Sequence, residues 1–336
     1  MITNQSLIKF SGLLLVLFLL GSCIKEDFDD CTTDIRFDFS HNMLNSNAFG
    51  EQVDEVTLYI FDENGVLLRT LHDEGKHITN NFQFQITDLY KGNYQFVAWA
   101  QSNEFTDESA NFLFPTLTPG TSTLNDVKAT LQRIESNNTF SSKLNNLLVG
   151  YVPTRLTDRA THKNVLIPTK KVNNTVRVIL IDDNDAVTTD DFKVRIEERD
   201  GNGVINYNYE ILPNDPLTYT PYYYEKTTAK DSEVISPEEK EKALTAEFAV
   251  SRLMNGHDIR LIVESKDGTL AIDKNLLDLI ELAELEGNVS KWSFQEYLDR
   301  QDEFSITFYI HEENSSWLTT TIIINGWVIN DVPIDF

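Results

Sequence analysis

Thiols, imidazoles and clustered carboxylates are the side chains best able to do chemistry, and this 336-residue chain uses the first two sparingly. There are two cysteines, Cys23 and Cys31, and six histidines, His41, His72, His77, His162, His257 and His311. Cys31 sits among Glu26, Asp27, Asp29, Asp30 and Asp34. A cysteine nucleophile needs a cationic neighbour to lower its pKa, and these acids raise it, so Cys31 is not expected to be catalytic. The clustered histidines fall in His72-Asp73-Glu74-Gly75-Lys76-His77. Gly75 breaks any helix face there, so a polar hairpin loop is expected in place of a metal site. Asp182-Asp183-Asn184-Asp185 with Asp190 and Asp191 is dense in oxygen ligands. It lacks the glycine and terminal glutamate of a calcium hand and reads as a solvated loop, with calcium as the alternative. No zincin, serine-elbow, P-loop or dinucleotide motif occurs. The expectation is a protein that is not an enzyme, with no cofactor.

The chemistry that does stand out is at Cys23. Phe10 to Leu20 reads FSGLLLVLFLL, and Lys9 is the only charge before it. Eleven apolar residues are too few to span a bilayer, which takes about 20. They have the length of a secretory h-region, with Gly21 and Ser22 as the small residues at its end. Leu20-Gly21-Ser22-Cys23 resembles a bacterial lipobox, which implies cleavage before Cys23 and lipidation of its thiol. Residues 1–22 are then signal peptide, and residues 23–33 a lipidated acidic tether. Lys25, Glu26 and Asp27 directly follow the lipid position. That arrangement resembles the signal that exports such lipoproteins to the outer face of the outer membrane, while a plain polar tether explains the same residues. Once Cys23 is acylated, Cys31 has no partner for a disulfide.

The formal charge is −25. Nucleic acid is an unsuitable partner for such a chain, because its binding rests on lysine and arginine neutralising phosphates. The acids are spread along the chain and read as a solvated, aggregation-resistant surface.

The elements that would carry any function are mostly strands. EVTLYIFD (55–62), FQFQITDL (82–89) and NYQFVAWAQ (93–101) lie between turn residues. DIRFDFS (34–40), LNDVKATL (124–131), NLLVGYVP (146–153) and NVLIPT (164–169) are further candidates. A second series begins at NNTVRVILID (173–182) and includes FKVRIEE (192–198), VINYNYEIL (204–212), LTAEFAVSRL (244–253) and DIRLIVES (258–265). EFSITFYIHE (303–312) and WLTTTIIING (317–326) end it. Short alternating strands between turns predict sandwiches or barrels. Two domains, 34–170 and 171–336, are expected. Three short helices are expected in the second: one after Ser236-Pro237-Glu238-Glu239, one within 273–286 and one after Ser293. The Pro- and Tyr-rich run 213–224 reads either as a buried crossover or as an exposed contact surface.

In the second half, SRL (251–253), QEYLDRQDEFSITF (295–308) and IIINGW (322–327) resemble the anchor subunits of Bacteroidales-type fimbriae, a FimB-like family of surface lipoproteins. VTLYIFDENG (56–65), GNYQFVAWA (92–100) and the lipobox with its acidic tail resemble the same family. The resemblance implies two transthyretin-like Greek-key β-sandwich domains in tandem. It also implies a lipid-anchored outer-membrane protein that holds the base of a fimbria, limits fibre length and contacts stalk pilin subunits through strand addition. No catalytic residue carries over. Cutting at Arg36 would separate the fold from a lipid on Cys23, so the anchor is expected to keep 34–40 in its own sheet. The short stretch after Trp327 suits a subunit that ends a polymer. The alternative is a surface module that captures glycans on Tyr219, Tyr222, Tyr223 and Tyr224.

Overall fold

The computed structural model describes residues 32–105, 112–134, 136–157, 163–182, 191–228, 242–268, 270–286, 292–313 and 316–329. Cys23, Lys25, Glu26, Asp27, Cys31, most of the 182–191 acidic loop and the Ser236–Glu239 segment lie outside them.

The first half runs β1 (Thr33–Asp38), α1 (Phe49–Gln52), β2 (Glu55–Phe61), β3 (Leu67–Glu74), β4 (Gln83–Ile86), β5 (Gly92–Gln101), β6 (Phe112–Leu113), β7 (Lys128–Leu131), β8 (Thr139–Phe140), β9 (Leu147–Leu156) and β10 (Lys163–Lys171). The second runs β11 (Asn173–Asp182), β12 (Phe192–Glu198), β13 (Val204–Asn206), β14 (Leu217–Tyr219), β15 (Tyr223–Thr228), β16 (Lys242–Ser251), β17 (Ile259–Ser265) and β18 (Leu270–Asn275). Helices α2 (Leu276–Glu286) and α3 (Phe294–Arg300) follow, then β19 (Glu303–Glu313), β20 (Ser316–Ile324) and β21 (Trp327–Ile329). The protein is all-β, as its alternating segments predict, and its sheets stack as sandwiches.

Seven strands join in the order β3-β2-β5-β9-β10-β1-β4. β10 turns the corner. Its first residues pair parallel with β1, and Thr169–Lys171 pair antiparallel with β9. The sheet thus folds back on itself around one core: Ile35 and Phe37 from β1, Val56, Leu58 and Ile60 from β2, Phe96 and Ala98 from β5, and Val165 and Ile167 from β10. Gly150 allows the close approach at this corner, because a Cβ there would lie 2.5 Å from Ile167 Cγ2 and 3.0 Å from the Pro168 oxygen. β5 is apolar on both faces from Phe96 to Ala100, and the structure uses both. Val97 and Trp99 face away from the first core into a second one.

That second core lies between the sheets β15-β16-β11-β19-β20-β21 and β18-β17-β12-β14-β8. Val176, Val178 and Leu180 alternate inward along β11, and Phe248, Phe304, Ile306 and Phe308 face them from the neighbouring strands β16 and β19. Strands cross between the halves. β8 adds parallel to β14, and β7 pairs with β13. Two-residue strands such as β8 carry too little pattern to show in sequence.

Several expected elements differ. The 124–131 segment divides into a 3₁₀ turn at Leu124–Asp126 and β7, because Thr123 and Asp126 form a capping box. The expected strand 204–212 stops at Asn206, whose side chain accepts from the amides of Asn208 and Glu210 and turns the chain. His72, Asp73 and Glu74 belong to β3, not to a loop, and His72 pairs with Thr57. Gly75, at φ +119°, begins the turn. The 213–224 run carries β14 and the start of β15.

Candidate functional site

The junction of the two halves is held by α3 and the Ser251-Arg252-Leu253 end of β16. Ser293 starts α3 by accepting the Glu296 amide at 3.2 Å, as its Ser-x-x-Glu pattern predicts. One turn later the helix presents Asp299, 6% exposed, to Arg252, 7% exposed. The guanidinium grips the carboxylate with two bonds, Nε to Oδ1 at 2.8 Å and Nη2 to Oδ2 at 2.7 Å, and also donates to the Tyr209 carbonyl. Lys170, at the end of β10, reaches Asp299 Oδ2 at 3.3 Å, and Gln295 donates to Oδ1 at 2.9 Å. A planar fork on a carboxylate is the strong, directional form of ion pair. Next along α3, Arg300 donates to the carbonyls of Asn42 at 3.0 Å and Ser40 at 3.4 Å, and its guanidinium lies over the Trp292 ring at 4.7 Å. One helical turn therefore clasps residues 40–42 and 170 of the first half to β16 of the second. His41 lies within this clasp. Burial and the Lys170 and Arg300 cations hold its pKa down at about 4.

Behind the clasp lies a buried polar group. Tyr219 is fully enclosed; its hydroxyl donates to Asn202 Oδ1 at 2.6 Å and accepts the Ser251 amide at 3.1 Å. Asn202 donates to the Ser251 and Arg252 carbonyls. Glu198, 1% exposed, meets His257 Nδ1 at 3.1 Å, and burial raises the pKa of its carboxyl.

A polar cleft of about 400 Å³ opens beside the clasp, lined among others by Phe105, Lys143, Asn146, Arg177, Tyr222 and Glu303. Lys143 Nζ sits 5.0 Å from the Phe105 ring centre and 5.4 Å from that of Tyr222.

β1 is paired along both edges, parallel with β10 from Thr33 to Asp38 and antiparallel with β4 from Thr33 to Arg36. Ile35 and Phe37 are 0% and 2% exposed. At the far end, among the described residues, β21 pairs with β20 at Ile322, Ile323 and Ile324.

Of the aromatic residues proposed for glycan capture, Tyr219 is wholly buried. Tyr222 and Tyr224 are half-buried, with hydroxyls on Glu247 and the Phe192 carbonyl. Tyr223 is partly exposed and next to Tyr224 on β15, so the two point to opposite faces, and with Tyr219 inside the core the four tyrosines share no single face. Two clusters combine histidine and carboxylates among the described residues, Glu55–His72–Glu74 and Glu198–Asp200–His257. The second escapes sequence reasoning because Glu198 and His257 are 59 positions apart. No helix among the described residues is long and apolar enough to cross a membrane.

Stacked sandwiches joined by a buried Arg–Asp pair define an all-β protein with no catalytic constellation among the described residues. The family of fimbrillin-A associated anchor proteins Mfa1 and Mfa2 matches residues 28–333, and the chain belongs to that family. This is a family of fimbrial anchor proteins, and it associates the protein with fimbrial components at the cell surface. A candidate polysaccharide-binding protein from Bacteroides thetaiotaomicron is 31% identical over 89% of this chain and 97% of its own, with a TM-score of 0.73. A candidate adhesin from the same species is 28% identical over 88% and 96%, with a TM-score of 0.74. The fimbrial anchor protein Mfa2 from Porphyromonas gingivalis shares the fold at 17% identity, with a TM-score of 0.66 over 89% and 98% of the two chains. No curated protein matches the chain.

The SRL and QEYLDRQDEF segments that carry the family resemblance supply the two sides of the clasp, Arg252 and Asp299.

Proposed function

We propose that the protein is an outer-membrane lipoprotein, acylated at Cys23 and exported with the help of Lys25, Glu26 and Asp27. It holds the base of a fimbria and limits its length by strand contact with stalk pilin. The observation that carries this reading is β1. The chain enters the fold ten residues after Cys23, a tether of at most about 36 Å. It is then sewn into a sheet on both sides, with Ile35 and Phe37 in the core. Tension on a lipid at Cys23 would load the β1–β10 and β1–β4 ladders lengthwise, so several hydrogen bonds must fail together. We place the pilin strand at the outer edge of β20 before Ile322, whose backbone groups have no strand partner among the described residues.

Complementing a deletion strain with Cys23→Ala tests the anchor. Fibres shed into the medium or grown overlong are expected; wild-type fibres would sink the reading. Alanine at Lys25, Glu26 and Asp27 is expected to leave lipidated protein protected from added protease in intact cells. An N-terminus after residue 36 on fibre-bound protein, found by mass spectrometry, would refute retention of β1.

The polar cleft favours a second reading, glycan capture, since Phe105 and Tyr222 offer ring faces beside amide and charged groups. Loss of polysaccharide binding in Phe105→Ala, with the fold intact, would support it.

A further inference from the structure

The hairpin-like meeting of β12 and β17 carries an arrangement that neither the clasp nor the anchor reading uses. Glu198 ends β12 with its side chain inside the protein. One oxygen, Oε1, faces His257 Nδ1 at 3.1 Å and accepts the Asp200 amide at 3.1 Å. The other, Oε2, is fully buried with no hydrogen-bond partner among the described residues. A carboxylate oxygen stripped of water without a replacement partner is costlier than a neutral polar group left in the same position. This carboxylate therefore has an oxygen free to take a ligand beyond the hydrogen bonds it already makes.

The surroundings indicate what. Ligand atoms from Glu198, Asp200 and His257 all lie within 4.8 Å of one another. Around a cation with bonds of about 2.0–2.2 Å, neighbouring ligand atoms sit about 2.8–3.6 Å apart, from octahedral to tetrahedral geometry. The Glu198 Oε1–His257 Nδ1 separation of 3.1 Å lies in this range, and an Asp200 oxygen lies within 4.8 Å of both residues' ligand atoms. We propose that Glu198, Asp200 and His257 bind a single first-row divalent cation, with Zn²⁺ as its representative. An imidazole with two carboxylates suits such ions, whereas calcium and magnesium take oxygen donors.

The ligands are pre-positioned. Asp200 Oδ2 accepts the Asp258 amide at 2.8 Å, leaving the other oxygen for a metal. The next residue, Gly201, has φ +77°, and a Cβ there would strike the Asn214 oxygen at 2.5 Å. Asn202 then fixes the loop from inside through the Ser251 and Arg252 carbonyls. Just before β17, the His257 carbonyl accepts from Asn275 at 3.3 Å. The nearby cation Arg199 is directed away from the group, to Asp258 at 3.3 Å and Glu197 at 3.4 Å. A bound cation would staple the end of β12 to the start of β17, next to the Asn202–Ser251 network that supports the clasp.

The test uses the full chain, purified without a histidine tag and stripped with chelator. Zn²⁺ is titrated by calorimetry, and thermal unfolding is followed with and without the metal. One Zn²⁺ per chain and a higher melting temperature are expected. His257→Ala and Asp200→Asn should each weaken uptake by at least about tenfold, the scale on which metal sites respond to loss of supporting groups. Asp200 is exposed, so Asp200→Asn keeps the test valid if His257→Ala does not fold. Glu74→Gln, in the exposed Glu55–His72–Glu74 group, should leave uptake unchanged. Absence of stoichiometric uptake, uptake indifferent to both substitutions, or uptake abolished by Glu74→Gln would each overturn the assignment.

Discussion

Removing Arg252 is the sharpest perturbation of the junction. In Arg252→Met the apolar stem is replaced, but two bonds to Asp299 and one to the Tyr209 carbonyl disappear. Asp299 stays behind, 6% exposed and charged. Breaking a buried pair from one side typically costs about 3–5 kcal/mol. Here Lys170 at 3.3 Å and Gln295 at 2.9 Å still touch the carboxylate, so the lower end, about 3 kcal/mol, is expected. With an m-value of about 3 kcal/mol/M, that moves the urea midpoint down by about 1 M. The double variant Arg252→Met/Asp299→Leu removes both charges and leaves only Lys170, whose side chain is 31% exposed and can turn to water. It should lose about 1 kcal/mol, because replacing a whole buried pair is often nearly neutral. The pair's coupling in a double-mutant cycle is then at least about 2 kcal/mol. Urea unfolding by fluorescence and circular dichroism measures all of these. A loss below 1 kcal/mol in Arg252→Met, or a double variant as damaged as the two singles combined, would refute the clasp as a load-carrying contact.

Three further outcomes are expected. Phe37→Ala removes a 2%-exposed ring stacked on Phe49 at 5.1 Å and should lower stability by about 3–5 kcal/mol in thermal or urea unfolding, testing whether β1 is structural. Gly201→Ala and Gly268→Ala both place a side chain at positive φ, +77° and +84°, but only the first meets backbone oxygen; Gly268→Ala should cost about 1 kcal/mol and Gly201→Ala clearly more, by the same assay. His41 has a folded pKa of about 4 against the ordinary histidine value of 6.5, so between those values the unfolded chain binds more protons. Its contribution to stability is therefore present above about 6.5 and lost as pH falls towards 4. His41→Gln should show a shallower loss across that window, and unfolding curves that fall in parallel for both proteins would exclude the effect.

The sequence alone determines the local elements well, and for a physical reason. Side-chain alternation decides which face of a strand can be buried, so β2, β11, β12 and β16 are visible as patterns in the chain. Capping is equally local: Ser293 and Glu296 mark the start of α3 three residues apart. The h-region and Cys23 are likewise local, and the family motifs sit inside these segments. What a one-dimensional pattern does not carry is which elements meet. Arg252 and Asp299 are 47 residues apart, and each alone is an ordinary charged residue. Glu198 and His257 become a pair only because β12 and β17 are neighbours in register. Tyr219 and Tyr222 look alike in the chain, yet β14 turns one wholly inside and leaves the other at a cleft. β8, two residues long, gains its place from β14 and not from its own sequence. Burial, pairing and charge environment are properties of neighbours, so only the tertiary structure decided where the junction is clasped and which carboxylate is left unsatisfied.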